Sequence, residues 1–283
     1  MPVLFKKVRE LRNYLHSIKC DGTKNKLIGF VPTMGYLHGG HVELIKRSKL
    51  QNDVTVVSIY VNPTQFGENE DYDRYPRDLN RDLAICNEYN VDVIFVPDDK
   101  EMYPEGFNTE VYVKNLSEIL EGKYRPGHFK GVATVVTKLL NAVMPDRLYL
   151  GEKDFQQMVI IKKMVRDLLL PVEIVSVPTV REEDGLAMSS RNTYLSEEER
   201  KSATAIYKSL IMAKEMFEKG ERNMDVIRKK MEEFLKSFPH IKNIDYIEAC
   251  DSELNIKKKL EKGDRILIAL WVGNTRLIDN IEV

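Results

Sequence analysis

The chain has 283 residues, enough for one large or two modest domains that each bury a core of their own. Lys and Arg number 43 and Asp and Glu 44, so the formal net charge is -1 and the sequence pI about 6.6, which gives no long-range field for nucleic acid and directs attention to a small-molecule partner. Cys20, Cys86 and Cys250 are odd in number, far apart and free of C-x-x-C spacing, and no stretch approaches the ~18 apolar residues of a membrane span, so a cytoplasmic protein with reduced thiols, no structural zinc, no membrane and no secretory leader is expected.

Taken in chain order, the apolar run L27-I-G-F-V31 predicts a strand that ends in P32-T-M-G-Y-L-H-G-G-H41, with a helix from about His41 to Gln51. A second strand, V54-T-V-V-S-I-Y-V61, ends in N62-P-T-Q-F66. A charged helix from about Asp78 to Tyr89, the strand V91-D-V-I-F-V96, a helix over Val132 to Val143 and the strand R147-L-Y-L150 follow, the last running into G151-E-K-D-F-Q-Q157 at the start of another helix. V172-E-I-V-S-V177 is a further strand. Strands alternating with helices predict a parallel sheet with crossovers, whose ligands bind at the carboxyl edge of the strands. After P178-T-V-R-E-E-D-G-L-A-M-S-S-R-N192 the pattern changes to polar helices over about 196–219 and 223–238, then to β-rich text at I244-D-Y-I-E248 and R265-I-L-I-A-L-W-V272. The change places a domain boundary near residue 178, giving a domain over 1–178 and a smaller α+β domain over 179–283.

Five segments can carry chemistry. A strand, a glycine turn and a helix start around His38 and His41 put backbone N–H groups and the positive end of a helix dipole where an anion can sit, and the two imidazoles, at i and i+3, share that face. Each can donate to a phosphoryl oxygen on which charge grows; the plainer reading makes His38 a cap and His41 the satisfied partner of a neighbouring carbonyl. Lys153, in a second strand-to-helix turn at the same edge, can hold a phosphate as a point charge, or the turn can be an ordinary start with Asp154 as cap. Met188, Ser189, Ser190 and Arg191 offer two hydroxyls and a guanidinium at the domain junction, suited to a triphosphate and equally ordinary in a loop. Asn62, Gln65, Arg125 and His128 lie on further loops, where proline-fixed turns are the structural alternative.

In this order and wording, P32-T-M-G-Y-L-H-G-G-H41, V61-N-P-T-Q-F66, R125-P-G-H-F-K-G-V-A-T-V-V-T-K-L-L-N141, G151-E-K-D-F-Q-Q157 and R181-E-E-D-G-L-A-M-S-S-R-N-T-Y-L195 resemble the pantothenate synthetase (pantoate-beta-alanine ligase) family. The resemblance implies a Rossmann-like, doubly wound parallel sheet of nucleotidyltransferase type with a smaller C-terminal lid, in a homodimer. It implies (R)-pantoate, beta-alanine, ATP and Mg2+ as the molecules bound, with a pantoyl adenylate formed first and pyrophosphate and AMP released. Carried over by position, His41, His38 and Lys153 are the catalytic residues, with His41 as proton donor. The ATP site would be lined by Met34, Gly35, Tyr36, Leu37, His38, Gly39, Gly40 and His41, by Gly151, Glu152, Lys153 and Asp154, and by Val180, Met188, Ser189, Ser190 and Arg191. Gln65 and Gln157 would hold pantoate, with Gln65 also near beta-alanine; amides suit that task because they both donate and accept. Asn62 and Arg125 come next, and Asp82 would help hold the metal ion. One departure is visible: the family pattern commonly places an acidic residue between the histidines, where this chain has Gly39. A nucleotidyltransferase that stops at an adenylate or dinucleotide, and a nucleotide-binding regulator with a lapsed site, are the rival readings.

Overall fold

The computed structural model describes residues 1–19, 26–68 and 70–283, so Cys20 lies outside the described residues. Cys86 and Cys250 are buried free thiols whose pKa burial pushes up to about 12, which makes them inert packing groups.

Six strands form one sheet: β1 (Val3–Phe5), β2 (Ile28–Thr33), β3 (Val54–Ile59), β4 (Val93–Phe95), β5 (Arg147–Gly151) and β6 (Glu173–Val177), in the order β1-β4-β3-β2-β5-β6. Every pairing is parallel. The helices that make the crossovers are α1 (Val8–Lys19), α2 (Gly39–Gln51), α3 (Leu79–Glu88), the short α4 (Asp99–Met102) and α5 (Glu121–Tyr124), α6 (His128–Val143) and α7 (Phe155–Asp167). Side chains of successive strand residues go to opposite faces. Ile28, Phe30, Val54, Val56 and Leu148 therefore meet α1, α6 and α7 on one side, while Val31, Val57, Ile94 and Tyr149 meet α2 and α3 on the other. Burial on both faces is why the strands read as unbroken Val/Ile runs. The expected doubly wound α/β fold is the one observed.

The order reverses between β2 and β5, since the chain winds from β2 to one side and from β5 to the other. Such a switch point opens a crevice outside the carboxyl ends of those two strands. Thr33 and Gly151, the last residues of β2 and β5, thus mark where a ligand can enter.

The remainder builds a second layer pair: α8 (Glu197–Ala203), α9 (Ala205–Glu218) and α10 (Met224–Leu235) cover one face of an antiparallel sheet of β7 (Ile241–Cys250), β8 (Arg265–Val272) and β9 (Thr275–Glu282). Ile247, Ala249, Ile266, Ile268 and Leu270 pack on those helices, whereas Tyr246, Cys250, Leu267 and Ala269 join the core of the larger body. The single helix expected over 196–219 is divided at Thr204, whose hydroxyl turns back to the Lys201 carbonyl at 2.9 Å and competes for a helical acceptor. β9, which the sequence did not announce, puts Arg276, Ile278 and Asn280 toward the parallel sheet. Among the described residues no helix is long and apolar enough to cross a membrane.

Candidate active site

At the end of β2 the Thr33 hydroxyl donates to the Ser58 carbonyl of β3 at 2.7 Å and accepts from Gly35 N at 3.1 Å, which starts a tight turn. Gly35 and Tyr36 both have positive φ, +81° and +50°. A Cβ on Gly35 would stand 2.9 Å from an Asp82 oxygen, so glycine is required by conformation and by space. Asp82, 1% exposed at the start of α3, accepts from Tyr36 N at 2.8 Å and from Leu37 N at 2.7 Å. Burial raises its pKa against the pull of those two N–H donors. The family resemblance assigns Asp82 to a metal ion; in the structure each of its carboxylate oxygens accepts one bond from the turn that presents the histidines. Among the described residues no group of three or more His, Cys, Asp or Glu could hold a metal.

His38 caps α2 and His41 occupies its first turn, and the two form a capping box made of imidazoles. His38 Nδ1 accepts from Gly40 N at 3.1 Å, and His41 Nδ1 accepts from His38 N at 3.3 Å. A ring nitrogen that accepts carries no proton, so in a neutral ring the proton sits on Nε2. Burial is the main cause that pushes His38 down to about 2 and His41 down to about 4, helped for His38 by His41 and Lys153 and for His41 by Lys153. Both rings are therefore neutral near pH 7, each with one Nε2–H left to donate, and their centroids are 4.1 Å apart. The capping and donor readings, set against each other on sequence, use different atoms of the same rings.

At the end of β5, Lys153 Nζ is 3.3 Å from Asp154 Oδ1 and mostly buried. The turn is clamped by the C-terminal sheet. Asn280 Nδ2 donates to the carbonyls of Glu152 and Lys153, each at 2.9 Å, and Arg265 reaches the Glu152 carboxylate at 3.2 Å. Asp154 precedes α7 but its side chain makes no cap bond. Gln157, half-buried, faces the crevice, whereas Gln156 is buried and ties to Glu121 N at 2.9 Å, away from it.

On the far wall, Asn62 and Gln65 are 1% and 8% exposed. His128 Nδ1 donates to the Gln65 carbonyl at 2.8 Å, which leaves its Nε2 to accept from Arg125 at 3.1 Å. Burial holds His128 well below the usual histidine range, with Arg125 adding to the effect. Arg125 also grips Glu70, at 2.8 Å through Nε. Arg191 is paired in the same way: its guanidinium makes a two-pronged contact with Asp71 at 2.9 and 2.7 Å. A guanidinium expected to meet phosphate is thus neutralised where it stands, by a carboxylate that sequence reading did not single out. Ser190 donates to the Tyr36 carbonyl at 3.3 Å, and Met188 N to the Val180 carbonyl at 3.0 Å, so the 188–191 segment lies across the histidine turn.

These parts enclose a cleft of about 230 Å3 at the switch point. Met34, His38, Gly40 and His41 line one side, Gly151, Lys153, Asp154 and Gln157 another, and Val180 with Met188, Ser189, Ser190 and Arg191 the roof. Gln65, Asn62, Arg125 and His128 complete it against an apolar floor of Val132, Val135, Val136, Leu139 and Ile161. Gly35, Tyr36, Leu37, Gly39 and Glu152 do not line it; Leu37 is fully buried, and the others support the walls. A wider cavity of about 710 Å3 adjoins it between the parallel sheet and the C-terminal sheet, with Arg125, Lys153, Asp154, Ser189 and Arg191 shared by both. Glu121 and Arg276 bridge that gap at 2.6 Å. These bridging residues carry no local motif, and only the pairing of distant charges in the fold reveals them.

The sequence model of the family described as Pantoate-beta-alanine ligase matches residues 3–282. Pantothenate synthetase of Aquifex aeolicus (strain VF5) is 60% identical over 283 residues, covering 100% of this chain and 99% of that protein. The pantothenate synthetase of Caldicellulosiruptor bescii is 56% identical over 282 residues, with 99% of each covered. Among solved structures, pantothenate synthetase from Thermus thermophilus superposes with a TM-score of 0.92 at 46% identity, over 99% of both chains. Pantoate-beta-alanine ligase from Francisella tularensis, solved in complex with beta-gamma ATP and beta-alanine, gives a TM-score of 0.80 at 39% identity over 100% of this chain and 98% of that one.

Proposed function

The chain belongs to the pantoate-beta-alanine ligase family and is an enzyme of that class, and we propose that it condenses (R)-pantoate with beta-alanine through a pantoyl adenylate. The observation that carries the mechanism is the pair of neutral imidazoles whose Nδ1 atoms are committed to the helix start. In this reading a pantoate carboxylate oxygen attacks the α-phosphorus of ATP and the bond to pyrophosphate breaks. Charge grows on the α-phosphoryl oxygens, where the Nε2–H groups of His38 and His41 donate and Lys153 supplies positive charge in a mostly buried site. The amine of beta-alanine then attacks the acyl carbon, and AMP leaves. The complex of the Francisella protein with an ATP compound and beta-alanine supports the same ligands here.

ATP would lie between the histidine turn, the 151–154 turn and the 188–191 segment. Pantoate would sit against Gln65 and Gln157, with its methyl groups toward the apolar floor and beta-alanine near Gln65. Magnesium would enter as Mg-ATP, with its ligands supplied largely by the nucleotide and Asp82 as a further carboxylate at the histidine turn. Residues 179–283 act as the lid in this reading, in a cytoplasmic homodimer.

The test is pantoate-dependent exchange of labelled pyrophosphate into ATP, with magnesium and without beta-alanine. Exchange that requires pantoate is the expected result. Exchange independent of pantoate, or none while ATP still binds, would overturn the adenylate route.

A further inference from the structure

Gln65 can present to the cleft either its oxygen, as acceptor, or its NH2, as donor, and the choice decides which groups of a hydroxy acid it can hold. Two backbone groups of fixed role settle the matter one residue away. The Thr64 N–H can only donate, and it lies 3.4 Å from one end of the Asn62 amide, which is therefore Oδ1. The Gly131 carbonyl can only accept, and it lies 3.3 Å from the other end, which is therefore Nδ2. α6 comes this close because residue 131 has no side chain: a Cβ there would stand 2.2 Å from the Thr64 carbonyl. The Tyr103 hydroxyl donates to Asn62 Oδ1 at 2.8 Å, and the Thr64 hydroxyl does so at 3.0 Å, so the oxygen end is held by donors on several sides.

With Asn62 fixed, its Nδ2 donates to Gln65 at 3.1 Å, which makes that atom Oε1. The opposite end, Nε2, lies 3.0 Å from Met34 Sδ, a thioether that can only accept. We infer that Tyr103 and Asn62 are positioning residues that lock the Gln65 amide with its NH2 group toward the cleft, so that Gln65 meets substrate as a donor, to a carboxylate or hydroxyl oxygen. The inference rests on the reading of Gln65 as a contact of the hydroxy acid and adds the direction of that contact. Tyr103 is held for the task by its edge-on contact with Phe107 at 5.1 Å and by Lys138 over its ring at 5.4 Å.

Asn62→Asp separates this role from a merely structural one. The new carboxylate keeps the bonds from Thr64 and Tyr103 but can no longer donate to Gln65 Oε1, so the amide turns over and shows its oxygen to the cleft. The Michaelis constant for pantoate should rise by at least about tenfold, the scale of one hydrogen bond to a charged group lost, while that for ATP stays within about twofold. Tyr103→Phe keeps the ring and its packing, and should give a smaller rise, about threefold, with the same selectivity. The orientation is read independently of activity by NMR: amide protons of Gln65 should show a nuclear Overhauser effect to the Met34 methyl, lost in Asn62→Asp. An effect that persists in Asn62→Asp overturns the lock; its loss with an unchanged pantoate constant overturns the consequence. Equal rises in both Michaelis constants would assign Asn62 a structural role only. If the unsubstituted chain shows the NMR contact but no pantoate-dependent turnover, the ligase reading fails and the donor role with it, while the lock itself stands.

Discussion

His41 holds a helix start with one ring nitrogen and offers a proton donor with the other, so its two roles can be pulled apart by substitution. His41→Ala removes both: it should cost about 0.5–2 kcal/mol of stability, as the loss of a capping side chain does, and about 10²- to 10³-fold in adenylate formation. His41→Gln restores an acceptor at the position where capping boxes use glutamine, so stability should return while the rate does not. Single-turnover adenylation and urea unfolding measure the two effects; a rate that recovers together with stability would show that the ring only caps. The same burial gives a pH signature. An unfolded histidine gains its proton near pH 6.5, whereas folded His41 stays neutral to about 4 and His38 to about 2. Between those limits the unfolded state binds more protons, so this contribution is fully present above pH 6.5 and is lost as pH falls toward 4, by up to about 1.4 kcal/mol per unit for each ring. Unfolding midpoints at pH 7.5 and 5.0 should therefore converge in His41→Gln relative to the native chain. An identical pH dependence in both would contradict the burial of a neutral ring.

At the scale of elements, the first turn of α2 and the 188–191 segment meet over Gly39. A Cβ there would lie 2.6 Å from Met188 Sδ and 3.1 Å from its terminal methyl, so the thioether rests where a family relative with an acidic residue would have a side chain. Methionine is flexible enough to swing aside, so a substitution here moves the roof of the cleft and leaves the fold intact. Gly39→Ala should improve the helix start yet raise the Michaelis constant for ATP about threefold or more, and Met188→Ala in the same background should bring part of it back, a coupling of about 1 kcal/mol. Steady-state kinetics on the four-member cycle decide it, and strict additivity would mean the contact is idle. Which elements were legible follows the same physics. V54-T-V-V-S-I-Y-V61 and R147-L-Y-L150 read as strands because both faces are covered and need apolar residues. β1 is three residues long and half-exposed, leaving no period to read, and β9 hides behind Arg276, Asp279 and Asn280, polar residues whose burial depends on partners distant in sequence, among them Glu121, Arg181 and the Glu152 carbonyl. The site was legible where turn chemistry is local, at His38, His41 and Lys153. It was illegible where a carboxylate from another loop claims a cation, as Asp71 does with Arg191.

Across the whole molecule, the C-terminal sheet does more than cover the cleft, because Asn280 on β9 shapes the turn that carries Lys153. Asn280 is 3% exposed; its Nδ2 donates to the Glu152 and Lys153 carbonyls, and its Oδ1 accepts from Arg265 at 2.7 Å. Arg265 in turn pairs with Glu152, so the two bodies are joined at the residue proposed to hold phosphate and at its neighbour. Replacing the amide by an apolar side chain of similar size, Asn280→Leu, leaves two carbonyls and one guanidinium short of a partner, a cost of about 1–3 kcal/mol in stability. If the clamp also sets the position of Lys153, ATP binding must weaken beyond what instability alone produces. The expected outcome is a rise of about tenfold in the dissociation constant for ATP, measured by calorimetry well below the melting temperature, with a further loss of rate in adenylation. Lys153→Ala should then make Asn280→Leu nearly silent in ATP affinity, since the clamp would have no ammonium left to place. Were the two losses to add in full, the sheet would be holding the bodies together without positioning the lysine, and the coupling between lid and phosphate site would have to run through the 188–191 segment instead.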